Sequence, residues 1–181
     1  EAAAEMSQSP LLVDDSPSQN MQDIAAVCRR QKRKHGLSLV VIDYLQLVAP
    51  DNSRDPREQQ VAKISKRLKW LARELEVPVL CLAQLNRQGE STTSNAPRLS
   101  HLRESGSIEQ DADVVAFVHR PEYYATDQET KDELRGKAEI HIAKKRNGRT
   151  GVVPMLWFDN IVTFRQRAPE HMSNYTPSFN N

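Results

Sequence analysis

The run Leu39-Val40-Val41-Ile42-Asp43 constrains this chain more than any other feature. Four apolar residues, three of them β-branched, stand together without polar alternation and stop at one aspartate. Such a run predicts a strand buried on both faces, as at the centre of a parallel sheet. Parallel strands need crossover connections, so the chain is committed to alternating strands and helices. The carboxylate at the strand's exit is also a chemical clue, because such a group can hold magnesium beside a nucleotide's phosphates. The phosphate cradle of that chemistry, G-x-x-x-x-G-K-[ST], is absent from these 181 residues. Only Gly136 precedes a lysine, and Lys131 stands where the first glycine of the motif would be.

The remaining pattern supplies the alternation. Pro10 to Asp15 reads as a short strand, broken by Ser16-Pro17-Ser18. Met21, Ile24, Ala25, Val27 and Cys28 recur at helical spacing, with Gly36 as a stop. Asp55-Pro56-Arg57-Glu58 predicts a helix start, with Asp55 as cap, Pro56 at the first helical position and Glu58 completing a capping box. Val61, Ile64, Leu68, Leu71 and Leu75 then form one apolar stripe. A second buried strand, 79–83, ends at Gln84. Residues 86–98 are polar and rich in turn formers, which predicts a mobile surface loop. A short helical turn near 102–110 precedes a third buried strand, 114–118, and residues 121–136 read as a charged insertion. Strands follow at 138–145, 152–158 and 161–164, with turns at Asn147-Gly148 and Asp159-Asn160. The order predicts an α/β domain of three layers, with a largely parallel sheet and antiparallel hairpins at one edge. Residues 1–9 read as an arm, 10–167 as the domain, and 168–181 as a disordered tail without core-building residues.

Charge excludes little: 25 basic residues face 24 acidic ones, so any nucleic-acid contact must come from local clusters. The densest cluster, Arg29 to His35, is read as a helix end whose cations complement the dipole, in preference to a nucleic-acid patch. Cys28 and Cys81 lie far apart in apolar patterns and read as core thiols of a reduced, cytoplasmic protein. No apolar run reaches membrane-spanning length and no signal peptide is visible. Beginning at Glu1, the chain is expected to be a piece of something longer. His101, His119, His141 and His171 lack metal-ligand spacing.

Ligands of open parallel sheets bind beyond the carboxyl ends of the strands, where Asp43 and Gln84 both fall. If their strands are neighbours, a carboxylate for a magnesium ion or its water meets an amide able to sense a γ-phosphate. Either residue alone is more ordinarily a turn or solvated side chain. Period-two alternation puts Ile140, Ile142, Lys144 and Arg146 on one face, so two cations project beyond an anchored strand. They suit phosphate neutralisation, including delivery to a neighbouring subunit; a charged hairpin tip that resists edge pairing suits them equally. Arg103 and the backbone near Gly106 offer a grip on a nucleic-acid phosphate, or a plain helix start.

VVIDYLQL, PVLCLAQLNR, LRESGSIEQDADVVAF and AKKRNGRTG, in this order, resemble the carboxyl-terminal motor domain of DnaB-type replicative helicases, over roughly residues 9–165. The resemblance implies a RecA-like domain using ATP and Mg2+, and a cytoplasmic homo-hexamer working on single-stranded DNA with a primase and a helicase loader. It implies that Asp43 supports magnesium and that Gln84 links nucleotide state to the DNA-facing loops. Arg103, Glu104 and Gly106 match a loop touching single-stranded DNA, and Lys144 and Arg146 match cations donated across the subunit interface. The family's P-loop and catalytic glutamate are expected upstream of Glu1, and Glu5 is assigned no role. His101 stands where an acid is common, and Lys145 where glutamine is common. A fragment without the cradle is expected to be inactive by itself. A RecA- or RadA-type recombinase and a non-catalytic DNA-binding or assembly module are the alternatives.

Overall fold

A computed structural model describes residues 8–85, 96–100, 102 and 106–167. Helix α1 (Met21–His35) is closed at its start by Asn20, whose side chain accepts the N–H groups of Gln22 and Asp23 while Asp23 accepts that of Asn20. It ends at Gly36, whose φ of 78° few other residues tolerate. Helix α2 (Arg57–Leu75) buries the whole predicted stripe, Val61, Ile64, Leu68, Leu71 and Leu75. Its start differs from expectation. Pro56 occupies the cap with no side-chain bond, because the Asp55 carboxylate is taken by Asn52 at 2.9 Å and by Lys63 at 2.6 Å.

Strands β1 (Val40–Ile42) and β2 (Val79–Cys81) pair in parallel, Val40 opposite Val79 and Ile42 opposite Cys81. Helix α3 (Gly106–Asp111) leads into β3 (Val114–His119). A short 3-10 turn and helix α4 (Gln128–Leu134) follow, then β4 (Lys137–Lys145), β5 (Gly151–Phe158) and β6 (Thr163–Gln166). These last four strands form an antiparallel sheet in the order β3-β4-β5-β6. Parallel strands and antiparallel hairpins are therefore both present, as expected, with the antiparallel sheet the larger among the described residues.

The main core joins α1, α2 and β1 through Met21, Ala25, Cys28, Val40, Ile64, Leu68 and Leu71. It covers one face of the small sheet. Val40 is 9% exposed, whereas Val41 and Leu80 are 54% and 56% exposed. The expectation of burial on both faces thus fails among the described residues: α1 and α2 pack on the side of Val40, and strand side chains alternate between faces. The same holds for β3, where Val115, Phe117 and His119 are buried while Val114 and Val118 are exposed. Pro10 to Asp15 forms no strand. Leu11, Leu12 and Val13 are exposed, and no described strand pairs with their backbone. Residues 1–7, most of the predicted 86–98 loop, and 168–181 lie outside the described residues.

Candidate functional site

Pairing of β1 with β2 is the condition the sequence left open, and it is met. Asp43 follows the last residue of β1. Leu82 donates its N–H to the carbonyl of Ile42 at 2.9 Å, which continues the ladder past β2 toward Gln84. The two residues therefore leave the same edge of adjacent parallel strands. Asp43 is exposed, and its carboxylate has no hydrogen bond or ion pair to any described residue; its peptide bond to Tyr44 is cis.

Gln84 is fixed by a residue that sequence reasoning missed. The Gln46 amide nitrogen donates to the carbonyl of Gln84 at 3.1 Å, and the Gln46 amide oxygen accepts the Gln84 N–H at 3.2 Å. Arg57, from the first turn of α2, donates to the carbonyl of Gln46 at 3.0 Å and to Gln60 at 3.1 Å. A chain of contacts thus runs from α2 through Gln46 to the backbone of Gln84. Its only sequence signal is an amide three residues past Asp43, too common a pattern to stand out.

Lys144 and Arg146 lie elsewhere, and one expectation about them is corrected. A register shift between Val115 and Ala116 pairs Val115 with Lys144 but Ala116 with Ile142, leaving Ala143 as the extra residue of a bulge. Lys144 therefore shares the face of Val115 and Phe117, not that of Ile140 and Ile142. Ala143 packs on the second core cluster, formed by Leu102, Val115 and Phe117. Lys144 reaches the end of α3, donating to the carbonyl of Glu109 and, at 3.4 Å, to that of Gln110. Arg146 donates to the carbonyl of Gln110 at 3.3 Å and pairs with Asp113 at 3.5 Å, while its backbone N–H donates to the Asp113 carbonyl at 2.8 Å. Lys69 of α2 also pairs with Asp113, and Ser65 donates to Asp111 at 2.8 Å. The Lys69 bond, aided by charge from Lys69, Arg146 and Lys144, holds the Asp113 carboxyl below its ordinary value. Gly106 opens α3 with open space where a Cβ would stand. Arg103 and Glu104 lie outside the described residues. The structure thus unites Asp43 with Gln84, and Lys144 with Arg146 on α3.

The cysteines are free and set apart, and burial pushes the Cys81 thiol up to about 11, which makes it inert. No cluster of three metal-ligating side chains occurs among the described residues. None of the described helices is long and apolar enough to cross a membrane.

Parallel strands ending in a carboxylate and an amide, helices on the sheet, and an antiparallel extension are the parts of a RecA-like α/β domain. The chain belongs to the family of DnaB-like helicase C-terminal domains, whose model matches residues 1–166. It is 46% identical over 173 residues to the replicative DNA helicase DnaB of Geobacillus stearothermophilus, covering 93% of this chain and 37% of that protein. To the DnaB of Mycobacterium leprae it is 47% identical over 150 residues, 83% of this chain and 24% of the relative. Among solved structures, an ATPase domain superposes with a TM-score of 0.84 at 40% identity, over 92% of this chain and 58% of that one. A DnaB-like replicative helicase, solved in a study of its interactions with primase, gives 0.80 at 41% identity, over 87% of this chain and 38% of that one. The chain therefore spans less than two-fifths of the length of these DnaB relatives. Membership favours the helicase over the recombinase.

Proposed function

We propose that this chain is the motor part of a hexameric replicative DNA helicase that couples ATP hydrolysis to movement along single-stranded DNA and to strand separation. The observation that carries the reading is the shared edge of β1 and β2, beyond which Asp43 and, two residues past the position opposite it, Gln84 both lie. The exposed Asp43 carboxylate, which has no partner among the described residues, fits magnesium, which takes one or two protein carboxylates and keeps several waters. When bound, the ion would neutralise phosphate charge. Asp43 would hold and orient it, and Gln84, positioned through Gln46, would report nucleotide state to the DNA-facing segment.

Lys144 and Arg146 would serve the ATP of the adjoining subunit, with Arg103, Glu104 and Gly106 meeting the DNA strand. Primase and a loader would be further partners, in the cytoplasm. The similarity to the helicase studied with primase supports the first of these.

The test uses full-length protein in mixed rings. Arg146→Ala subunits added to wild type are expected to depress unwinding more than in proportion to their share, since each would disable a neighbour's site. Unwinding that falls only in proportion to the wild-type fraction would overturn the trans assignment. No DNA-dependent hydrolysis by the wild-type ring would overturn the motor reading itself.

A further inference from the structure

The two cations proposed to serve a neighbouring subunit are bound, in this structure, to their own. Lys144 sits on the carbonyls of Glu109 and Gln110, and Arg146 on the carbonyl of Gln110 and the carboxylate of Asp113. The two carbonyls belong to the negative end of α3, where unpaired carbonyls favour cations, and Asp113 follows just beyond it. The opposite end of α3 is Gly106, the residue that closes the proposed DNA-touching segment. The helix is only six residues long, so any displacement of one end is carried to the other. The β4 bulge is what makes the contact possible, by turning Lys144 onto the α3 side of the strand.

We propose that α3 is a clasp that holds Lys144 and Arg146 in cis, and that Asp113 is the positioning residue setting how strongly Arg146 is held. This rests on the motor reading. DNA engaging the chain at Gly106 would shift α3, withdraw the Glu109 and Gln110 carbonyls and free the cations for the adjoining triphosphate.

Two residues share Asp113, one at each carboxylate oxygen, which makes the clasp adjustable. Arg146 approaches one carboxylate oxygen at 3.5 Å, while Lys69 bonds the other. In the clasp, Lys69 would weaken the hold on Arg146 by keeping the carboxylate toward α2, where its bond is the shorter of the two. The Ser65 bond to Asp111 ties the same helix to α2 at a second point, so α2 is the anchor against which α3 would move.

The experiment is ATP hydrolysis by full-length rings with and without single-stranded DNA. Asp113→Asn is expected to raise the DNA-free rate about threefold, the scale of an exposed ion pair, and so to shrink stimulation by DNA. Lys69→Gln is expected to do the opposite, lowering the DNA-free rate and enlarging stimulation. Asp113→Glu should behave as wild type. Opposite signs at two contacting residues cannot come from general damage to the fold, which lowers every rate. A fall in both rates for Asp113→Asn, unchanged stimulation in either variant, or the same sign in both would overturn the clasp. Absence of any stimulation in wild type would instead sink the motor reading on which it stands.

Discussion

One amide side chain, that of Gln46, satisfies both backbone groups of Gln84, and Arg57 in turn holds the Gln46 carbonyl. Single hydrogen bonds of this kind are worth about 1 kcal/mol net, but their larger effect is to restrict where Gln84 can lie. Gln46→Ala is therefore expected to speed hydrogen exchange at the Gln84 amide by about tenfold, with little change at Val40 in the neighbouring ladder. Unaltered exchange at Gln84 would show that the bridge does not position it. At this scale the sequence was a partial guide. Asp43 and Gln84 were legible because each ends an apolar run. Gln46 was not, since a polar residue after a strand acquires meaning only when the facing strand is known. Asp55 misled for a related reason: Lys63 and Asn52 claim the carboxylate that would otherwise cap α2.

Among the elements, the β3–β4 edge combines packing and titration. His119 stacks on Tyr124 with ring centroids 5.5 Å apart and meets the edge of His141 at 5.6 Å; Glu139 lies opposite it in register and contacts His141 at 2.6 Å. Burial lowers the His119 pKa from its ordinary 6.5, with Glu139 opposing that shift and His141 adding to it. The folded state therefore prefers the neutral ring, and the unfolded chain takes up the proton first as pH falls. Stability from His119 is complete above 6.5 and is lost as pH drops through the depressed folded value. The melting temperature is expected to fall between about pH 7.5 and pH 5.5, and to fall less in His119→Gln. An equal decline in the variant would place the sensitivity elsewhere. Helix α2 was readable from its 3.6-residue stripe, and the hairpin strands from alternation and turn residues. The β4 bulge was not readable, because a one-residue slip depends on which partner residue each strand meets.

For the whole molecule, the absent G-x-x-x-x-G-K-[ST] motif leads to a direct expectation: the chain as given hydrolyses no ATP above background. Phosphate release by the purified chain, abolished by Asp43→Ala, would falsify this. By itself the sequence determined helices α1 and α2 with the α2 stripe, the order of the strands from β1 to β6, and the carboxylate and amide at strand ends, because these depend on local periodicity and on what interrupts it. It wrongly added a strand at Pro10 to Asp15 and did not show α4. Only the tertiary structure decided that β1 and β2 are neighbours, that one face of their sheet and of β3 is covered, and that Lys144 turns toward α3. Those outcomes depend on which distant segments meet, and no periodicity within a segment encodes its partner.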